Sequence, residues 1–124
     1  MKKTLIALIL ILFFSTPVLS DEWFPSWTKE EILLQSAALA LKTIDYGQTR
    51  YISQHPEYHE MNPLMSSHPS LDEVNQYFLI TAILQVAIAY ALPHKWRKYW
   101  IGTQILVSGG FVLYNSSVGI GIAF

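Results

Sequence analysis

The sequence predicts an all-α protein: a small helical membrane bundle of two transmembrane helices plus one amphipathic or partly inserted helix, behind an N-terminal signal sequence. Three observations predict it. Residues 74–93 and 99–124 carry no charge at all. Two Ser/Thr-x-x-Glu capping signatures, Thr28 with Glu31 and Ser70 with Glu73, stand in front of apolar runs. Hydrophobic residues make up 52% of the 124 and charged ones only 14%, against about 25% in an ordinary soluble domain. A soluble core of this size has little volume in which to hide that much apolar side chain, whereas a lipid-facing surface removes the difficulty.

Residues 1–20 read as a signal peptide, with an N-terminal anchor as the competing reading. Lys2 and Lys3 form the charged start, residues 4–14 the apolar run, and residues 15–20 a helix-breaking end with the small residues Val18 and Ser20 before Asp21. The uncharged stretch is 17 residues, at the short limit of a span of about 20. Residues 21–124 then form a single helical membrane domain. Trp23 and Trp27 suit a membrane–water boundary.

A helix is predicted to start at Thr28, with Trp27 and Ile32 as a hydrophobic staple, and to run to about Ile52. Its uncharged centre, between Glu31 and Lys42, is 10 residues and too short to cross a bilayer unaided. It is expected to lie in the interface or to pack partly submerged against the other helices. Residues 74–93 supply the first span, stopped by Pro93, and residues 94–98 (HKWRK) a compact basic turn. Residues 99–117 supply the second, with the helix ending near Ser117 before Gly119 and Gly121. Asn75, Gln85, Thr103, Gln104, Ser108 and Asn115 are expected to hydrogen-bond between helices. Lys and Arg near membrane ends favour the cytoplasm, so the basic turn places the polar loop outside.

Composition closes several function classes. A net charge of −1 offers no electrostatic basis for nucleic-acid binding. The absence of cysteine removes disulfides, thiolate metal sites and cysteine nucleophiles. No Gly-rich phosphate loop or nucleophile elbow is present.

The chemistry is concentrated in residues 45–69, which hold three of the four histidines. Asp45, Gln48 and Thr49 stand at i, i+3 and i+4 and so share a helix face. Glu60 and Asn62 lie in a Glu-Met-Asn-Pro segment whose Asn62 is turned by Pro63 and can satisfy nearby backbone. Glu60 can then reach back towards Arg50 or the Gln48–Thr49 face, either as a conformational lock or as a carboxylate pair with Asp45 sharing a proton or cation. His55, His59 and His68 are the candidate metal ligands, since a divalent ion such as zinc accepts imidazole. Pro56 argues against one helix carrying both His55 and His59, and the spacing matches no diagnostic metal motif. No cofactor is otherwise implied.

Asp45-x-x-Gln48-Thr49, Glu60-x-Asn62-Pro63 and His68-Pro69-Ser70 together resemble a pattern in small uncharacterised membrane proteins of bacteria and their phages. The likeness covers about residues 45–77 and continues loosely to Phe124. It implies a small helical membrane protein and carries over no activity. The expectation is a structural or interaction protein of the bacterial inner membrane, with an extracytoplasmic polar loop as its recognition surface. Its partners would be the lipid bilayer and a second copy or another membrane protein. A membrane-bound hydrolase or metal-binding protein using Asp45, Glu60 and the loop histidines is the alternative.

Overall fold

The computed structural model describes residues 2–4, 6, 7 and 22–124. The signal-peptide reading therefore falls largely outside the described residues. Among those residues the protein is all-helical: α1 (Lys29–Gln54), α2 (Leu71–Ala91) and α3 (His94–Ser117), with no strand.

Each boundary has a local cause. Thr28 caps α1 through a complete capping box: its hydroxyl accepts from the Glu31 amide, and Glu31 Oε1 accepts from the Thr28 amide at 3.0 Å. At the second signature only half the box forms. The Ser70 hydroxyl accepts from the Glu73 amide, but the Glu73 carboxylate turns to Ser66, taking its amide at 3.0 Å and its hydroxyl at 2.8 Å. That clip fastens the loop to the start of α2. Leu92 and Pro93 end α2, and Pro93 serves as N-cap of α3 with extended ψ. Residues 94–98 are consequently the first turns of α3 and not a separate basic turn. A proline at the N-cap loses no hydrogen bond, so the helix can begin immediately behind it.

α1 takes the packed arrangement, one of the two expected for it. It packs along both other helices: Glu31 meets Arg97 and His94 at one end, and Gln48 meets Ser116 and Asn115 at the other. Against α2 the pairing is antiparallel, with Tyr46 bonded to Asn75 and Lys42 over the Phe78 ring. The start of α1 thus sits beside the start of α3, and the loop 55–70 closes the opposite end.

The distribution of polarity is inside out. The inward stripe of α1 carries Glu31, Gln35, Asp45, Gln48 and Thr49, joined by Gln85 of α2 and by Arg97, Ser108 and Asn115 of α3. Among the described residues clustered apolar burial is limited to two small groups, Ala38–Ala89–Ile101 and Met65–Val74–Phe78, with Ile52, Leu92 and Ile120 buried singly. Leu79, Ile80, Ile83 and Leu84 of α2, and Leu106, Val107 and Leu113 of α3, are meanwhile more than half exposed. Of the described helices one, Leu71–Ala91, is long and apolar enough to cross a membrane. α3, expected as the second span, does not meet that measure, because its basic first turns and its Gln104, Ser108 and Asn115 dilute the apolar run.

The polar groups inside these helices are served unevenly. Asn75 accepts from both Tyr46 and Arg50, and Asn115 donates to Gln48 Oε1 at 3.2 Å. Thr103 instead bonds back to the Tyr99 carbonyl of its own helix. The Gln85 backbone carbonyl accepts from the Trp100 indole, while the side-chain amides of Gln35 and Gln85 find no partner.

The C-terminal residues 118–124 fold back over α1 as a strap. The Ala123 amide donates to the Gly47 carbonyl at 3.0 Å. Gly47 is needed because a Cβ there would stand 2.6 Å from Ile122 and 2.8 Å from Phe124.

Candidate functional site

The loop end of the bundle brings together four of the five predicted polar-site residues, Asp45, Thr49, Glu60 and Asn62, and turns Gln48 towards α3. Asp45, Gln48 and Thr49 come from the last turns of α1, and Glu60 and Asn62 from the loop; each is 8% exposed or less. Two sub-sites result. Gln48 faces α3, where its amide donates to Ser116 Oγ at 3.0 Å and its carbonyl accepts from Asn115. Asp45 and Thr49 face the loop. The Thr49 hydroxyl donates to the Asp45 carbonyl at 2.8 Å, stands 3.4 Å from Asp45 Oδ1, and also reaches Glu60. The two carboxylates repel each other across it.

Asn62 organises the loop. Its amide donates to Glu60 Oε1 at 2.9 Å, its side-chain oxygen accepts from the Leu64 amide at 3.0 Å, and its Nδ2 donates to the Tyr77 hydroxyl at 2.8 Å. This is the Asx-type turn expected ahead of Pro63. Burial pushes the Glu60 carboxyl above the usual carboxylate range, with the Asn62 and Met61 amides and the Thr49 hydroxyl pulling the other way.

Arg50 does not meet Glu60. Its guanidinium bonds Asn75 at 2.7 Å and lies over the Tyr46 ring. The cation nearest the acidic pair is Lys42, which attracts Asp45 and sits 5.8 Å from the Tyr77 ring centroid.

The three loop histidines do not gather. His55 caps α1: its ring stacks on Tyr51 at 3.8 Å and its Nδ1–H donates to the Tyr51 carbonyl. Pro56 then turns the chain, and His59 meets His68 edge to face at 4.4 Å on the exposed side of the loop. Among the described residues no group of three or more His, Cys, Asp or Glu side chains is placed to hold a metal ion. The expected His55–His59–His68 ligand set is therefore corrected to one pair and one helix cap.

Asn115 makes the interhelical bond expected of it, whereas sequence reasoning passed over Tyr77 and the strap. It also missed the opposite end, where Arg97 (0% exposed) spends all five N–H groups on the Ala89, Ser26, Pro25 and Tyr90 carbonyls and on Glu31. The signal was present: Glu31, Gln35, Ala38, Asp45, Thr49 and Ile52 follow one another at three-, four- and seven-residue steps, which is a single helix face. No family model, no curated protein and no solved structure matches this chain.

Proposed function

We propose that the chain is a small integral membrane protein of the bacterial inner membrane with a structural or interaction role, presenting the loop 55–70 as its recognition surface. The observation that carries this reading is the inside-out distribution: carboxylates, amides and a guanidinium inside, leucines and isoleucines outside. Water favours the opposite arrangement, while lipid solvates an apolar exterior without cost and makes interior hydrogen bonds the means of holding helices together. α2 crosses the bilayer, and α3 crosses beside it with its charges gathered in the first turns.

The exposed Lys95 and Lys98 favour a cytoplasmic position for the start of α3, which sets the loop outside. The pairing of Glu31 with Arg97 then draws Thr28 to the cytoplasmic end as well. An exported leader would demand the reverse.

The loop is the working surface because its buried half is locked to α1 and α2 while its outer half offers exposed Met61, Leu64, His59 and His68. An apolar groove on α3, lined by Leu106, Val107, Gly110, Phe111 and Tyr114 with Met61 above it, suits self-association or a second membrane helix. Two experiments test the reading. The purified chain is expected to require detergent, and a monodisperse species in plain buffer refutes membrane residence. The chain lacks cysteine, so single cysteines at Ser67 and at Lys98 can be labelled from either side of intact cells; label reaching Ser67 only from the cytoplasm refutes the orientation.

A further inference from the structure

The loop end of the bundle leaves one negative charge unbalanced in a buried place. Asp45 is 7% exposed, Glu60 8% and Thr49 0%. Glu60 Oε1 holds the Asn62 amide, but Glu60 Oε2 is buried and receives no donor. The Thr49 hydroxyl has one proton, whose shortest acceptor is the Asp45 backbone carbonyl at 2.8 Å, so it cannot satisfy both carboxylates.

The groups facing this pair are few. From α1 come Lys42, which attracts Asp45, and Arg50, which is turned away to Asn75 and Tyr46. From α2 comes the neutral Tyr77 hydroxyl, bonded to Asn62, while Glu73 is occupied by Ser66. α3 contributes only Asn115 and Ser116, both neutral and both bonded to Gln48. Among the described residues two carboxylates against one ammonium leave a net charge of −1 at this pair. A buried charge without a partner is costly enough that the site must acquire compensation or come apart.

We propose that Asp45, Thr49 and Glu60 form a binding site for one monovalent cation, a proton or an alkali-metal ion, whose occupancy fastens the loop 55–70 to the bundle. One such charge balances the site, and Glu60 Oε2 is the acceptor left open for it. The fastening follows from connectivity. Glu60 Oε1 holds the Asn62 amide, and Asn62 holds both Leu64 and Tyr77. Repulsion that expels Glu60 therefore undoes the Asn62 turn. The proposal gives the recognition loop of the functional reading a regulator, but it does not need the bundle to be in lipid. It stands or falls on loop protection, whereas the membrane reading stands or falls on solubility and labelling.

The test is hydrogen exchange at the Asn62 and Leu64 amides of the full chain, corrected for intrinsic rates, from about pH 5 to about pH 9. It is run in choline chloride, then in sodium and in potassium chloride. In choline chloride, protection is expected to fall about tenfold per pH unit above a midpoint, as one proton leaves. If the proton is the occupant, neither metal moves that midpoint; if an alkali-metal ion is, one of them restores protection at high pH. Protection that is unchanged across pH and across all three salts overturns the proposal. Glu60→Gln and Asp45→Asn each remove the excess charge. Once shown by circular dichroism to be folded, each is expected to keep the loop protected at every pH and in every salt. A folded variant that retains the full wild-type dependence also overturns it. Should one of the two not fold, the wild-type titration and the other variant decide.

Discussion

Replacing Arg97 by alanine is expected to be the most damaging single change in the bundle. The side chain is fully buried, and its five N–H groups make bonds of 2.6 to 3.3 Å to four carbonyls and one carboxylate oxygen. Its guanidinium also lies 4.5 Å from the Trp27 ring centroid. Truncation leaves the Glu31 carboxylate with the Thr28 amide and the half-exposed His94 but without its permanent counter-charge. Breaking a buried ion pair by removing one partner costs about 3–5 kcal/mol. The Ala89 carbonyl lies too deep for water to replace its donor, adding about 1–3 kcal/mol. A total near 5 kcal/mol is therefore expected, read by chemical unfolding followed by circular dichroism. Arg97→Lys keeps the charge but has three donors in place of a planar fork, and is expected to recover less than half of the loss. Glu31→Gln combined with Arg97→Met closes a double-mutant cycle, with a coupling above about 1 kcal/mol expected for groups in direct contact. If Arg97→Ala costs less than about 1 kcal/mol, the guanidinium does not tie the N-terminal segment, α1 and α3 together, and the reasoning fails.

Three further outcomes are expected. Glu60 titrates above its ordinary value of 4.5 in the folded protein, so its contribution to stability is complete below that pH and lost as pH rises through the raised value. Glu60→Gln should accordingly gain on the wild type as pH increases; parallel stability–pH profiles would refute this. Asn62→Ala removes the partner of Tyr77 and of the Leu64 amide and should cost about 1–3 kcal/mol, with loop proteolysis rising before the helices melt. Gly47→Ala pushes a methyl into Ile122 and Phe124; since those are side-chain ends on a terminal strap, carboxypeptidase should attack residues 118–124 faster while helicity is unchanged. An unaltered digestion rate would show that the strap has another seat.

Local grammar made much of the fold legible in the sequence. Thr28 and Glu31 announced α1, Pro93 stopped α2, and the end of α3 at Ser117 followed from the glycines beyond it. The Asp45–Thr49 helix contact and the Glu60–Asn62 turn were readable because helix spacing and the Asn62–Pro63 turn are short-range effects, whereas the meeting of the two pairs was not. What escaped was set by partners distant in the chain. Glu31 read as the back half of a capping box, and nothing local announced Arg97, 66 positions away, as its partner. His55 and His59 look alike in sequence, yet Tyr51 captures one and His68 meets the other. The apolar centre of α1 was ambiguous. Counting its charges at the two ends left open whether α1 packs against the other helices; Glu31 turns inward to Arg97, and α1 packs against both.

The Glu31–Arg97 contact fixes a parity. Residues 28 and 97 open at one face of the molecule and residue 55 at the other, so a single accessibility measurement assigns every connection at once. A tag or probe near Lys98 reports on Thr28 as well, and reversing the orientation of either moves both. An evolutionary change of compartment would therefore have to invert the whole trio of helices, because no one of them can turn over while that ion pair stands.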